Sequence, residues 1–181
     1  MKYPYDMVCC GPVNEPKKAT LTFKRAELVY DASNYSFVEA EIIPEGDECR
    51  RHQVFDIGQD GNVDRVTRVL NMAYSECVEM LYPYTKEEIP EGQEALDDVL
   101  TEPEVYEIKL TLPETFSLTT LRMLEHLIHE YLVCRVLADW MSITNPESEA
   151  NWEKKFTTLR NKIKSSLVSR TGKIRRKMKP F

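Results

Sequence analysis

Residues 118–143, LTTLRMLEHLIHEYLVCRVLADWMSI, predict one long helix around which the rest of the chain must pack. Either Ser117 or Thr115 offers a capping side chain at its start. In its first half, polar residues share about half of the circumference at ~100° per residue: Arg122, Glu125, His126, His129 and Glu130. In its second half, apolar residues fill the same sector: Val133, Val136, Leu137, Trp140 and Met141. We therefore expect the helix to pass from the protein surface into surroundings that cover nearly all of its sides.

A second long helix follows at once, because Asn145-Pro146-Glu147 places a capping residue, a proline and an acid where a helix begins. We expect it to end near Gly172. Its apolar residues step by four, three, four and four positions: Trp152, Phe156, Leu159, Ile163 and Leu167. This narrow stripe predicts antiparallel packing on the preceding helix, with Trp152 and Phe156 against the end that carries Trp140.

The first part of the chain predicts shorter elements. Residues 24–34 carry apolar side chains at helical spacing, whereas residues 36–43 alternate apolar and acidic side chains. We therefore predict a short helix followed by a strand. Pro44 ends that strand, and we expect a polar loop from there through His52.

Two clearer elements follow. Apolar residues recur at three and four positions between residues 63 and 81, which predicts a core helix capped by Asp60 or Asn62. Residues 87–107 contain nine acids and no Lys or Arg, which is typical of an exposed loop. Strict alternation over residues 106–112 then predicts a strand.

Together these elements predict an α+β, mainly α protein. Its helical bundle is built on the long central helix and an antiparallel C-terminal helix, with a small β element and extended N- and C-terminal arms. We expect one domain over residues 20–169, since a chain of 181 residues can bury a core of its own. An N-terminal arm (1–19) and a basic C-terminal tail (170–181) flank that domain, and an acidic loop (84–104) lies within it.

Charge is distributed unevenly along the chain. The net charge is -6, yet residues 170–181 hold six of the 24 basic residues and no acid. The remaining 18 basic residues face 30 acids, which leaves a body of -12. An acidic body argues against a general nucleic-acid surface, and the basic tail predicts an anionic partner. A second copy of the same body would be such a partner.

Cysteine usage predicts free thiols, because five is an odd number and no C-x-x-C pair occurs. Cys77 and Cys134 fall within apolar stripes, so we expect both to be buried with raised pKa values. The vicinal pair Cys9 and Cys10 has no evident role. We expect no signal peptide and no membrane span, since no apolar run approaches the roughly 18 residues that crossing requires.

One histidine motif suggests metal binding, because His126, His129 and Glu130 share a helix face. The order of these residues is neither H-E-x-x-H nor H-x-x-E-H, and only His52 remains as a further histidine ligand. We therefore favour a polar helix face in which Glu130 accepts a hydrogen bond from His126, at a subunit contact or elsewhere on the surface.

A second segment, residues 56–67, resembles a calcium loop only in part. Gly58 stands at the third position and Thr67 at the twelfth, where carboxylate ligands are needed. A turn followed by a helix explains the same residues.

The sequence also lacks a glycine-rich phosphate loop and a G-x-S-x-G elbow. We expect a protein that is not an enzyme and uses no cofactor.

Arg135 and Asp139 lie one turn apart on the heavily apolar half of the long helix. A buried charge without a partner would cost several kcal/mol. We therefore expect an ion pair, either within the helix or across a subunit boundary.

The C-terminal tail is the segment that we predict to dock on a partner. Three of its apolar residues, Ile174, Met178 and Phe181, are spaced by four and three positions, which a purely solvated tail would not need. Docking on protein is the favoured interpretation, with nucleic-acid contact and a solubilising role as alternatives. The predicted docking residues are Arg170, Lys173, Ile174, Arg175, Arg176, Lys177, Met178, Lys179 and Phe181.

Four segments that together span most of the chain carry a resemblance to a known family. They are YLVCRVLADWMSITNPESEANWEKK (131–155), HQVFDIGQDGNVDRVTRVLNMAYSECVEMLYPYTK (52–86), LTFKRAELVYDASNYSFVEAEI (21–42) and GKIRRKMKPF (172–181). They resemble small proteins of Bacteroidetes phages and prophages that are encoded among structural genes. In helical pattern these are similar to head-tail connector (adaptor) proteins, which lie below the portal as twelve-fold rings of helical bundles with extended arms.

The resemblance implies a structural virion protein, assembled in the bacterial host cytoplasm. Its implied partners are further copies in a homo-oligomeric ring, the portal, other neck or tail proteins and, in passing, packaged DNA. It implies no catalytic residue. The two predicted strands depart from the mainly helical adaptors and leave open a stopper or tail-completion role. A nucleic-acid-binding regulatory or packaging-associated protein that uses the basic tail is the competing hypothesis.

Overall fold

The computed structural model describes residues 16–44, 46–85, 102–114 and 116–168. Those residues form the predicted α+β, mainly α architecture, which consists of two strands and six α-helices. In chain order the elements are β1 (Lys17–Lys24), α1 (Arg25–Ile42), α2 (Glu48–Phe55), α3 (Asp60–Met80), α4 (Tyr82–Thr85), β2 (Val105–Leu112), α5 (Leu118–Thr144) and α6 (Pro146–Val168). A short 3-10 turn, Asp56–Gly58, joins α2 to α3.

The long helix α5 lies at the centre and changes its surroundings as predicted. In its first half Arg122, Glu125 and His126 are exposed, whereas residues 131–134 are all buried. Apolar side chains on every face of that second half explain its burial, because each can pack against a neighbouring element. Ser117 occupies the N-cap position but makes no side-chain capping hydrogen bond, so the predicted cap contributes only through its backbone.

Helix α6 begins at Pro146, with Asn145 alone between it and the end of α5, and returns along α5 in the antiparallel direction. Four residues of the predicted stripe are buried: Trp152, Leu159, Ile163 and Leu167. The fifth, Phe156, stands edge-on to Tyr131 of α5 with ring centroids 6.0 Å apart. The Trp152 ring stands edge-on to Tyr35 of α1 with ring centroids 5.3 Å apart, so at this end α6 contacts α1 as well as α5.

Helix α1 corrects the predicted helix and strand, because it runs without a break from Arg25 to Ile42. No glycine or proline interrupts the segment before Pro44, and its alternating residues 36–43 satisfy a helical period as well. The buried residues recur at every fourth position: Leu28, Ala32, Ser36 and Ala40. Local alternation was therefore misleading here, since it placed Val38 and Ile42 on a strand although both are exposed helix residues.

Two further local predictions are wrong. The expected polar loop through His52 is the helix α2, whose last turn buries Val54. The expected cap of α3 at Asp60 or Asn62 is absent, since Gln59 holds the N-cap position without a side-chain hydrogen bond. The Asn62 amide instead donates to the Asp56 carbonyl oxygen at 2.9 Å, which closes the preceding turn.

The sheet pairs β1 with β2 in the antiparallel direction, with Leu21 opposite Ile108 and Phe23 opposite Tyr106. Burial alternates strictly along β2, as predicted, and the apolar face lies against the helices. The Tyr106 hydroxyl donates to the Asn71 side-chain oxygen of α3 at 2.7 Å. Strand β1 begins at Lys17, so the predicted boundary of the N-terminal arm at residue 19 is three residues too late.

The predicted acidic loop, residues 84–104, also began too early, since Tyr84 and Thr85 belong to α4. Residues 86–101 lie outside the described residues. On the far side of that gap, Arg25 approaches Glu102 at 3.3 Å, and its backbone N–H donates to the Glu104 carbonyl at 3.0 Å. These contacts join the start of α1 to the residues just before β2.

The two ends of the α5–α6 pair are built differently. At one end, here called the α2 end, the Trp140 indole N–H donates to the Val54 carbonyl at 2.9 Å, and Arg50 donates to the Asn145 side chain at 2.7 Å. At the other end, the α4 end, Tyr84 contacts the Phe116 ring at 5.8 Å. The last turn of α6 is at this end, because the Tyr84 hydroxyl lies 3.4 Å from the Leu167 carbonyl oxygen.

Candidate docking surfaces

All nine predicted docking residues of the tail lie outside the described residues, which end at Val168. The structure therefore assigns no position to any of them, and only the sequence shows how far each one follows Val168. They are Arg170, Lys173, Ile174, Arg175, Arg176, Lys177, Met178, Lys179 and Phe181. The same holds for Gly172 as the predicted end of α6.

The basic segment is longer than the predicted tail, because Glu153 is the last acid in the sequence. Residues 154–181 contain 11 of the 24 basic residues and none of the 30 acids, so they carry +11 and residues 1–153 carry -17. The described half of this segment presents exposed basic side chains on α6: Lys154, Arg160, Lys162 and Lys164. None of these four forms an ion pair within the described part of the chain. Sequence reasoning placed the start of the basic segment too late, at residue 170, although the position of the last acid, Glu153, was a signal that could have identified it.

The outer face of α1 exposes large apolar side chains among the polar residues Glu27, Asn34 and Glu41. Large apolar side chains there have exposed fractions of about one half or more: Tyr30 66%, Phe37 48%, Val38 56% and Ile42 72%. The inner face of α1 carries mainly small residues. An ordinary surface helix differs, because it buries its large apolar residues and exposes its polar ones. Sequence reasoning missed this face because the second half of α1 was predicted to be a strand.

A cleft of about 390 Å³ lies between the C-terminal half of α1 and α2, at the α2 end. Phe37 and Phe55 form two of its walls and meet edge to face at 5.8 Å. Its remaining lining residues are Ala40, Glu41, Glu48, Arg51 and His52. Arg51 crosses the cleft, pairing with Glu41 at 3.3 Å and donating from Nε to the Ala40 carbonyl at 3.2 Å. The cleft thus combines aromatic walls with a polar rim.

The histidine motif on α5 is divided among separate partners. His129 Nε2 lies 2.7 Å from the Asp31 Oδ2 atom of α1, and its ring is 6.5 Å from Phe23. The Glu130 carboxylate forms an ion pair with Lys155 of α6 at 3.6 Å, whereas we predicted a hydrogen bond from His126. Within residues 16–44, 46–85, 102–114 and 116–168, no three His, Cys, Asp or Glu side chains are grouped so that they could hold a metal ion.

Arg135 and Asp139 do not pair with each other. Asp139 Oδ2 accepts from both Nε and Nη2 of Arg65 at 3.0 and 2.9 Å, and Arg135 approaches Glu76 at 3.9 Å. Both partners lie on α3, so the predicted intrahelical pair is wrong and the charges join two helices.

Buried titratable groups support the core rather than a reactive site. Cys77 and Cys134 are both fully buried, as predicted. Burial raises the pKa of Cys77 far above its ordinary value and raises the pKa of Cys134 to about 11. Burial, followed by the hydrogen bond to Glu76, likewise raises the pKa of Tyr131. Neutral thiols of this kind are poor nucleophiles, because the thiolate is the reactive form. By contrast, Cys49 on α2 is exposed.

None of the helices among the described residues combines the length and the apolar composition that crossing a bilayer requires.

Comparison with protein-family models, curated proteins and solved structures yields no match to this chain.

Proposed function

We propose that this chain is a structural component of a tailed-phage virion and assembles as a head-tail connector ring between the portal and the neck or tail. The resemblance described above supplies the location in the particle. The outer face of α1 supplies a physical reason for association, and it is the observation that carries the proposal.

That face leaves Tyr30, Phe37, Val38 and Ile42 in contact with water in the isolated chain. Burial of apolar surface is favourable by roughly 25 cal/mol per Å², so covering these side chains with protein stabilises an assembly. Apolar patches of this kind on soluble domains are typical of protein interfaces. A ring protein needs at least one such surface on each copy.

The charge distribution supports association between copies. Residues 1–153 carry -17 and residues 154–181 carry +11, so copies attract each other when the basic segment of one faces the body of the next. Opposite charges on different parts of one surface also orient the approach of two copies.

The test is to quantify this chain in purified particles of a phage that encodes it. We expect about twelve copies per particle, since the connectors that this chain resembles form twelve-fold rings and a closed ring holds a fixed number of copies, together with chemical cross-links to the portal. A particle that lacks the chain would rule out a virion role. A copy number near the ring value with cross-links to tail proteins alone would favour a stopper or tail-completion protein, which the small sheet leaves as an alternative.

A nucleic-acid-binding role is the second candidate, and the exposed basic side chains of α6 favour it. Lys154, Lys162 and Lys164 continue the charge of the tail back into the folded domain. Binding to duplex DNA through these groups would weaken steeply as salt rises, since each neutralised phosphate releases counterions.

Titrations of duplex DNA at several salt concentrations test this candidate, with a chain lacking residues 172–181 as the comparison. The truncation should leave the fold intact because it removes no residue of the described core, in which Leu167 is the last buried apolar residue. Tight binding that truncation removes, by a chain that is absent from particles, would establish the nucleic-acid role in place of the connector.

A further inference from the structure

The outer face of α1 carries similar side chains at equal distances from its midpoint. Asn34, an exposed polar residue, stands at that midpoint. Four positions to either side, Tyr30 and Val38 are both large, apolar and more than half exposed. Eight positions to either side, Ala26 and Ile42 are both apolar and exposed. This pattern is therefore kept when the direction of the helix is reversed.

We propose that two free copies of the chain pair through this face, with their α1 helices antiparallel and a two-fold axis beside Asn34. A two-fold contact joins a surface to the same surface of a second copy, so the surface must match itself in reverse. An unrelated partner would not require that match. This inference rests on the outer face of α1 as the interaction surface of the proposed function, and it adds the state of the protein outside a particle.

In this pairing the apolar side chains of one copy meet those of the other. Tyr30 lies at the level of Val38, and within one residue of the level of Phe37, in the second copy. Ala26 likewise lies at the level of Ile42. Two shallow hollows of about 390 and 350 Å³ adjoin Ala26 and Tyr30, which leaves room for these longer side chains. Covering the apolar surface stabilises the pair.

The polar midpoint selects one register. A single asparagine within an apolar helix contact fixes the register, because it is favourable only where it meets another polar group. On the two-fold axis, the Asn34 amide group of each copy can donate to the side-chain oxygen of the other. A shift by one helical turn would instead place Asn34 against Tyr30 or Val38.

Charge on this face does not oppose the pairing. Glu27 pairs with Lys24 at 2.8 Å, and Glu41 pairs with Arg51 at 3.3 Å. The two acids lie seven positions to either side of Asn34. Antiparallel pairing thus brings the Glu27 ion pair of one copy to the level of the Glu41 ion pair of the other. Each end of the contact then holds two acids and two bases, so opposite charges can also attract each other across it.

The two-fold contact ends at two copies, because it uses the outer face of α1 on both. A ring needs contacts that join two different surfaces of each copy. The dimer therefore covers the outer face until a partner in the particle displaces the second copy. Free chain accumulates as dimers and forms rings only where such a partner is present.

Disulfide trapping tests the register. Asn34→Cys should yield a linked dimer under mild oxidation, because the two thiols meet beside the axis. Asn161→Cys, at an exposed asparagine of α6, is the matched control and should stay unlinked on non-reducing electrophoresis. All variants are made in a chain whose cysteines other than the buried Cys77 and Cys134 are changed to serine: Cys9→Ser, Cys10→Ser and Cys49→Ser.

A second pair of variants tests the direction. A mixture of Tyr30→Cys and Val38→Cys chains should form a mixed disulfide. Each of these variants alone should not link, because the two copies of residue 30 lie eight residues, or about 12 Å, apart along the helices.

A charge on the face should separate the copies. Ile42→Glu changes a side chain that is 72% exposed, so the single chain should keep its fold. We expect the Kd of the dimer, measured by analytical ultracentrifugation, to rise at least about tenfold, because an unpaired charge buried at an interface is unfavourable. Met72→Glu on α3, at a position that is 46% exposed, is the control and should dimerise like the unmodified chain. Val38→Glu replaces Ile42→Glu should circular dichroism show that the latter is misfolded.

Three results would overturn the pairing: an unmodified chain that stays a single 21.1 kDa species across the micromolar range, an Asn34→Cys chain that links no better than its control, or links between two Tyr30→Cys chains, as parallel helices predict. A monomeric chain that is present in particles at the ring copy number would refute the dimer and leave the connector role intact. A dimer of the expected register, from a chain that is absent from particles, would support the dimer and refute the connector role.

Discussion

Helices α1 and α6 both pack on α5, but they do so with opposite kinds of side chain. Helix α6 turns its large apolar residues inward and its basic residues outward. Helix α1 turns mainly small residues inward and exposes several large apolar residues among polar ones. The inward residues of α6 are Trp152, Leu159, Ile163 and Leu167, and those of α1 are Leu28, Ala32, Ser36 and Ala40.

The size of the buried side chains gives α6 and α1 different roles in the molecule. Large buried side chains remove much apolar surface from water, so α6 contributes stability to the single chain. Small buried side chains bury little area and instead let the α1 backbone come close to its neighbours. The Ser36 hydroxyl uses this proximity to donate to the Val54 carbonyl oxygen of α2. The large apolar residues of α1 are thereby left exposed, which is why we propose this side of the molecule as the interface.

The largest expected effect is on the α6 side. Trp152→Ala removes a ring that is 7% exposed and stands edge-on to Tyr35. We expect the free energy of unfolding to fall by about 3–5 kcal/mol, as for other aromatic truncations in cores. Urea unfolding of dilute protein measures it, with the exposed neighbour Lys154→Ala as the control, expected within about 0.5 kcal/mol of the unmodified chain. Equal stability of the two variants would contradict the assigned role of α6.

An intermediate effect is expected where α1 is closely packed. Ala32→Leu adds three carbon atoms at a position that is 1% exposed, so the helix must move away from its neighbours. Overpacking of this kind costs about 1–3 kcal/mol. The control is Asn34→Leu, which adds the same side chain at an exposed position of the same helix. If Ala32→Leu proves as stable as its control in urea unfolding, the close approach of α1 is wrong.

The smallest effect concerns the ion pair that joins α3 to α5. Arg65 and Asp139 are partly exposed, with side-chain fractions of 46% and 27%, so solvent screens their attraction. A double-mutant cycle with Arg65→Ala and Asp139→Asn should give a coupling free energy of about 0.2–1 kcal/mol. The same cycle on Arg135 and Asp139 should give a coupling near zero. A larger coupling for the second pair would restore the intrahelical pairing that the sequence predicted.

Of two candidate docking surfaces, the basic tail and the α1–α2 cleft, sequence reasoning identified only the tail. The tail was identifiable because its six basic residues and three spaced apolar residues are consecutive in the chain. The cleft was not, because Phe37 and Phe55 belong to different helices and meet only after the turn between α1 and α2 has formed. A pattern in one segment carries no information about a surface that two segments make together.

The same distinction holds for the fold. Sequence alone determined α5, α6 and β2 closely, because their apolar residues repeat over many positions and their starts are marked by Ser117, Pro146 and the alternation from Tyr106. Only the tertiary structure decided that residues 36–42 continue a helix and that residues 17–24 are a strand. Within the described residues, β2 pairs with β1, so the segment 36–43 has no strand to join. The hydrogen bonds of a helix are local and leave a periodic trace in the sequence, whereas a strand depends on a partner that here lies more than 80 residues away.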